Sequence, residues 1–343
     1  MHSRPSEVDD AAIHEALGRH WGLTVDRLDY LPEGGGAYHW VAASDTGPRW
    51  FVTCDDLDAK PWLGISRDVA FDGLVACYRT ALHLATGARL PFAAAPVPGR
   101  DGALAVRLGP RFSLAVFPYI EGTTGRWGEP AETREREELV DMLAALHAAT
   151  GAAPDAPVRP LAIPCRSQLE AALHDLAGPW AGGPHSEAVR RALADAVPVI
   201  TTWLSEFDLL ASRLAASETE LVLTHGEPHP GNLIREAGSA RLVLVDWDTV
   251  ARGRPERDLW MLDDGTDTWW TRYTRITGRA VEPDAIKAHR SAWALTDLAL
   301  FVTGLRAPHD DDADTARASA NVRFILAGDE PAPYGRPASW RRG

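Results

Sequence analysis

Residues 225–232 read His-Gly-Glu-Pro-His-Pro-Gly-Asn, and downstream a run of apolar residues ends in Leu244-Val245-Asp246-Trp247-Asp248. Between them lie Asn232-Leu233-Ile234-Arg235, a polar turn at Ala237-Gly238-Ser239, and Arg241-Leu242-Val243-Leu244-Val245. Two short runs of strand formers around a Gly-containing turn predict a β-hairpin. A hairpin brings the residues at its open ends together. Asn232 and Asp246 are therefore expected to face one point, as two oxygen ligands of one hard cation must. Pro228 and Pro230 forbid a helix across the loop, so Glu227 sits in a segment open toward a ligand.

A carboxylate five residues before an amide, with a second carboxylate fourteen residues later, suits phosphoryl transfer. That reaction needs an aligned acceptor hydroxyl, a group to take its proton, and metal ions held against phosphates. Two rival readings fail. His225 and His229 lie four apart with an acid between them, but a zinc-protease site needs both on one helix face, and two prolines prevent the helix. His225-Gly226-Glu227 also fits the H-x-E of zinc deaminases, which require a later P-C-x-x-C. The cysteines here are Cys54, Cys77 and Cys165.

The segment resembles the aminoglycoside phosphotransferase family, a branch of the protein-kinase-like superfamily that includes choline, homoserine and fructosamine kinases. His225, Gly226, His229, Asn232, Asp246, Trp247 and Asp248 match its pattern. Glu227 departs from it, since the family carries Asp there. The resemblance implies an α+β, bilobal protein-kinase-like fold. Its N-lobe, an antiparallel sheet plus a helix, would bind nucleotide over residues 1–118. Its C-lobe, mainly helical with the catalytic loop and β-hairpin, would carry catalysis and substrate over residues 119–343. It further implies ATP- or GTP-dependent phosphorylation of a small hydroxylated molecule, often an antibiotic. Glu227 would be the base, and Asn232 and Asp246 would hold Mg²⁺. Arg254-Pro-Glu-Arg-Asp258-Leu-Trp260 is similar to another family stretch, in which Asp258 would buttress the loop.

Composition sets bounds around this reading. The chain has 343 residues, 45% of them hydrophobic, enough for two lobes or one large domain. The N-terminus lacks a signal-peptide pattern, and no apolar run of about 18 residues suggests a membrane span. Three scattered cysteines make neither a disulfide framework nor a zinc site, which fits a cytoplasmic protein. A net charge of −13 disfavours nucleic acid as a partner and is compatible with a cationic substrate.

Upstream, residues 8–20 read as a helix with Ile13 and Leu17 on one face. Strands follow at Leu28–Leu31, Tyr38–Ala42 and Arg49–Thr53. Gly34, Gly35 and Gly36 in the first turn let a backbone approach phosphate oxygens and are assigned to a flap over the nucleotide. The resemblance implies a phosphate-gripping lysine on the third strand, where this chain has Thr53. Lys60, the only lysine near this lobe, is the candidate replacement, with Arg49 and Arg67 as alternatives. Asp68 and Asp72, on a helix over Ser66–Thr86, are candidates for the acid that pairs with it. Strands at Leu104–Arg107 and Phe112–Phe117 lead to Phe117-Pro118-Tyr119, which resembles the family's hinge, with Phe117 and Tyr119 at the adenine.

Downstream, Arg134–Ala149 is amphipathic, and His147 beside its apolar stripe reads as packed. Ser167 and Glu170 predict a capping box, and two helices are expected between Ser186 and about Ala215. Helices over Asp263–Ile276, Pro283–Leu305 and Thr315–Leu326 precede a loose tail from Glu330. Asp263, Asp264 and Asp267 are candidates for the amino groups of an acceptor. Asp310-Asp311-Asp312 reads as a solvated loop, and Trp269, Trp270 and Trp293 as core. Two alternatives stand beside the antibiotic kinase. One is a metabolic kinase for a sugar or amino alcohol. The other is a catalytically weak, nucleotide-binding pseudokinase, prompted by Glu227 and Thr53.

Overall fold

A computed structural model describes residues 1–45, 47–128, 131–217 and 219–328. The tail from Glu330 lies outside them. The chain forms two compact units, neither continuous in sequence. One comprises residues 1–125, 148–158 and 225–252; the other comprises 126–147, 159–224 and 253–343. These units do not follow the linear division at 118/119, because residues 225–252, with the loop and hairpin, pack with the first 125 residues. No described helix is long and apolar enough to cross a membrane.

The first unit is built on a five-stranded antiparallel sheet, and element labels run in chain order. Strands β1 (Arg27–Leu31), β2 (Ala37–Ala43), β3 (Arg49–Asp56), β4 (Val106–Leu108) and β5 (Phe112–Pro118) lie in the order β1-β2-β3-β5-β4. Side chains alternate across a strand, so Trp40, Val52, Cys54, Leu114 and Val116 form one face, packed with Ile13, Leu17 and Trp21. Ile13 belongs to α1 (Asp10–Ala16), whose N-cap is Asp9: its carboxylate accepts from the Ala11 N–H. The indole N–H groups of Trp21 and Trp40 donate to Val97 O at 2.8 Å and Asp10 Oδ1 at 3.1 Å, as buried indoles require. The opposite face carries Thr53 and Asp55 and meets Tyr78 of α2 (Arg67–Thr86), which donates to Asp55.

A three-stranded sheet joins this unit, in the order β6 (Gly122–Thr124), β8 (Leu233–Glu236), β9 (Leu242–Leu244). Leu233 pairs with Leu244 and Arg235 with Leu242, which is the expected hairpin. Gly122 is required where β6 meets it, since a Cβ there would lie 2.3 Å from Arg235 O. The short β10 (Ala251–Gly253) follows, and within this unit the Arg252 N–H donates to Pro157 O at 2.7 Å.

The second unit is mainly helical, with one short strand, β7 (Val222–Thr224). Its helices are α3 (Thr133–Ala148), α4 (Arg166–His174), α5 (Ser186–Ala216), α6 (Glu256–Leu259), α7 (Thr268–Thr277), α8 (Pro283–Arg306) and α9 (Ala313–Leu326). Its core gathers Leu169 of α4, Leu193, Ile200 and Trp203 of α5, Leu295, Leu298 and Val302 of α8, and Val322 and Ile325 of α9.

Three local expectations are corrected here. The residue before α4 is Cys165, at φ +59° with no side-chain cap. Ser167 already lies inside the helix, and Glu170 binds Arg166 at 2.8 Å, so there is no capping box. The helix expected from Asp263 begins at Thr268. Residues 186–216 form one helix of 31 residues that runs through Pro198. Its apolar stripe, Leu193, Ile200, Leu204 and Phe207, keeps the pair of turns together although proline removes one hydrogen bond. Pro198 is exposed, so Pro198→Ala should restore that bond without repacking. We expect it to stabilise the protein by about 1–2 kcal/mol, read as a rise in thermal midpoint.

Candidate active site

The geometry of the 225–232 loop starts from Gly226, whose φ of +101° is left-handed. That turn lets the Glu227 N–H donate back to His225 Nδ1 at 3.2 Å. His225 Nε2 lies 2.9 Å from Val245 O. A carbonyl only accepts, so the proton is on Nε2 and the ring is neutral. The Thr249 hydroxyl donates to His225 O at 2.7 Å, and the Trp247 ring sits edge-on at 4.7 Å. The two prolines of the loop leave only a single 3₁₀ turn, Pro230–Asn232.

Asn232 is buried, and its Nδ2 donates to Glu227 O at 3.0 Å. The amide oxygen therefore remains as its acceptor. The Val245 N–H donates to Asn232 O at 3.0 Å, so the hairpin's open end brings Asn232 beside the Asp246 turn, as its spacing requires. Asp246 itself adopts φ +65° and ψ +68°, a conformation uncommon outside glycine and concentrated at functional sites. The surrounding protein first, and then the carboxylates of Asp248 and Glu227, raise Asp246 well above the usual carboxylate range. Asp246 itself is exposed.

Lys60 is 3% exposed. Its ammonium lies 2.8 Å from Asp55 Oδ1 and 2.5 Å from Asp248 Oδ2. Burial opposes its charge, but Asp248, Asp55 and Asp246 outweigh burial and hold Lys60 well above its ordinary value. The acid expected on α2 is not the partner: Asp68 and Asp72 are exposed, and Asp68 binds Arg107. Instead α2 supplies Tyr78, whose hydroxyl donates to Asp55 Oδ2 at 3.2 Å. Arg67 is bound to Asp58 and Arg49 to Glu121.

Sequence reasoning missed Asp55, Tyr78 and His39. His39 pairs directly with Thr53 across the sheet, stands 4.9 Å from the Phe51 ring, and lies beside Gly34. Its Nδ1 is buried with no hydrogen-bond partner among the described residues. Burial, with nearby positive charge including Lys60, lowers His39 to about 3, so the ring is neutral. The available signal was strand parity, since residues 39, 53 and 55 share one face.

Of the remaining first-unit candidates, Gly34 and Gly36 have φ of +80° and +86° in the β1–β2 turn. Phe117 is half-buried, edge-on to Tyr78 at 5.4 Å. Tyr119 lies under the Arg49 guanidinium at 4.0 Å, and its N–H donates to Arg49 O.

Within the second unit, Asp263 is buried against Arg290. Asp264 binds Arg136 at 2.7 Å and the Trp269 indole N–H at 2.7 Å. Asp267 is exposed before α7. Asp258 is buried, with His147 Nε2 at 3.0 Å; His147 Nδ1 is 2.7 Å from the Tyr273 hydroxyl. His147 is thus a packed core group. Trp269 is buried, and Trp270 and Trp293 are half-buried. Asp312 caps α9 by accepting from the Thr315 N–H, in keeping with a solvated inter-helix loop.

A divalent cation suits the first-unit donor set. Asp246 feels the negative charge of Asp248, Glu227 and Asp55, and the amide oxygen of Asn232 is a further hard ligand. No group of three or more His, Cys, Asp or Glu side chains among the described residues could hold a metal by itself. Mg²⁺ uses one or two carboxylates and completes its shell with water and phosphate.

The model of the phosphotransferase enzyme family matches residues 75–295. No match is found among curated proteins. Among solved structures, the fold is similar to spectinomycin phosphotransferase in complex with ADP and spectinomycin (14% identity, 95% of this chain and 97% of that one, TM-score 0.71). It is also similar to an amicoumacin kinase in complex with AMP-PNP and Ca²⁺ (13%, 96% and 96%, 0.58) and to the choline kinase of Streptococcus pneumoniae (17%, 93% and 98%, 0.54). The fold is therefore α+β and protein-kinase-like.

Proposed function

The chain belongs to the phosphotransferase enzyme family, and from that membership we propose an ATP- or GTP-dependent O-phosphotransferase whose acceptor is a small hydroxylated antibiotic. The observation that carries this reading is the single hydrogen-bonded assembly of Glu227, Asn232 and the Asp246 turn. Nucleotide binding is supported by the ADP and AMP-PNP complexes of fold relatives. The antibiotic class is supported by spectinomycin and amicoumacin among the relatives' substrates and ligands, and the choline kinase keeps an amino alcohol as the competing acceptor.

In this reading Asn232 and Asp246 hold Mg²⁺, which when bound neutralises phosphate charge. Glu227 orients the acceptor hydroxyl and takes its proton. Lys60 grips phosphate from the loop after β3, positioned by Asp55 and Tyr78, while Gly34–Gly36 cover the nucleotide and Phe117 and Tyr119 flank its base. Positioning dominates the contribution of these groups, since the transition state is loose.

Asp246→Ala should abolish Mg²⁺-dependent nucleotide binding, measured by calorimetry with and without the ion. Unchanged binding would sink the ligand assignment. ADP release should then be followed with aminoglycosides, spectinomycin, macrolides, peptide antibiotics and amino alcohols. Turnover confined to the amino alcohols would overturn the antibiotic reading, and absence of nucleotide binding would overturn the kinase reading.

A further inference from the structure

The five-stranded sheet of the first unit carries one polar group that has no partner and no task. His39 of β2 stands directly opposite Thr53 of β3. Such cross-strand neighbours share one face, with Cβ atoms about 5 Å apart. Asp55, two residues beyond Thr53, lies on that face too, and Lys60 closes on it at 2.8 Å. The charges acting on His39 are Lys60 and the amino group of Met1, which oppose protonation, and Asp248, which favours it. The ring is thus within electrostatic reach of the Lys60–Asp248 pair. Phe51 covers it at 4.9 Å with 31° between planes. The glycine turn between β1 and β2 lies against its other nitrogen: a Cβ on Gly34 would stand 3.2 Å from His39 Nε2. A Cβ on Gly35 or Gly36 would meet nothing within 4 Å, so the turn touches the imidazole at Gly34 and leaves open space beyond it. His39 Nδ1 is shielded from solvent, and no described residue offers it a hydrogen bond.

A shielded polar atom without a partner is costly, and a ligand that completes it recovers that cost. A neutral imidazole has one proton and can carry it on either nitrogen. A phosphate oxygen only accepts, so beside Nδ1 it selects the Nδ1–H form. We propose that His39 is a phosphate-contact residue, donating from Nδ1 to an oxygen of the bound nucleotide at the strand position where Thr53 provides no cation. Lys60 and His39 then divide one task. Lys60, tied to Asp55 and Asp248, supplies positive charge, and His39 supplies a directed donor beneath the glycine turn. All of these groups belong to the first unit. The inference rests on the phosphotransferase reading and adds a residue to it.

The test is calorimetry of Mg-ATP and Mg-GTP on the full chain, with His39→Leu and His39→Asn beside the unaltered protein. His39→Leu removes the donor and should weaken nucleotide binding by about 10- to 100-fold, the worth of one hydrogen bond to a charged group. His39→Asn keeps an N–H donor near the Nδ1 position and should recover most of that loss. A packing role predicts the opposite ranking, because Leu fills more of the ring's volume than Asn. In the unaltered protein, the ¹⁵N resonance of His39 Nδ1 should move toward the protonated range when Mg-AMP-PNP is added and stay in place with adenosine. An unchanged His39→Leu affinity, His39→Asn binding no better than His39→Leu, or an Nδ1 resonance indifferent to the nucleotide would each overturn the contact. Nucleotide binding by the unaltered chain separates the two readings. Its absence removes the phosphotransferase reading and the contact together, whereas binding that His39→Leu leaves intact removes the contact alone.

Discussion

Glu227→Gln is expected to lower turnover by about 10²–10⁴-fold, the span attributed to one general acid–base group, while nucleotide affinity stays within a few-fold. The substitution keeps length and shape. It also keeps both backbone anchors, the Glu227 N–H on His225 and the Glu227 carbonyl under Asn232. Only the ability to take a proton is lost. Glu227→Asp separates position from basicity: it retains the carboxylate but withdraws it by about one methylene, and a 1 Å displacement costs about 10²-fold. Steady-state rates with any acceptor that supports turnover, together with calorimetric nucleotide affinity, read both variants. Near-normal turnover in the Gln variant would remove Glu227 from the chemistry.

Lys60→Met is the second large effect, and it acts on the protein before it acts on the reaction. The ammonium neutralises two nearly inaccessible carboxylates, Asp55 and Asp248. Removing one partner of a buried ion pair costs about 3–5 kcal/mol, because the remaining charge is stranded. Two-state denaturant titration should show that loss. Adding Asp55→Asn to Lys60→Met should recover part of it, since one stranded charge disappears; a purely additive double variant would contradict the pairing. The pH dependence has a definite sign. Lys60 is raised in the folded protein, so its contribution is complete below the unfolded value of about 10.4 and fades only above it. Burial raises Asp55 even with Lys60 beside it, so without the ammonium this carboxyl is raised further, and the deficit of Lys60→Met should shrink as pH falls and the carboxyl takes up a proton.

The hairpin and the open conformation of the loop before it were legible in the sequence because they depend on short-range signals: two prolines, a glycine turn, and two runs of strand formers. The sheet strands were legible for the same reason. The partners of Lys60 were not. Asp55 lies on the same strand face as Thr53 two residues later, and Tyr78 lies within the apolar stripe of α2, so neither stands out as a partner of a lysine in the following loop. Asp248 reaches Lys60 across 188 residues of chain, a proximity no local pattern encodes. The error at Ser167 was of another kind. The Ser–Glu spacing was present, but the chain entered α4 through a left-handed Cys165 and Arg166 took the glutamate. At Pro198 tertiary packing overrode a local breaker.

The first unit takes up chain from three separate stretches, residues 1–125, 148–158 and 225–252. On a ribosome, the five-stranded sheet emerges about a hundred residues before the hairpin that completes its unit. At about 5–20 residues per second, that interval lasts on the order of 5–20 s. Throughout it, Lys60 has Asp55 but not Asp248, and Ala93 and Ala94 lack Leu244 as their backbone partner. The nascent N-terminal half is thus a natural client for chaperones, and fragments cut near residue 125 should be poorly soluble.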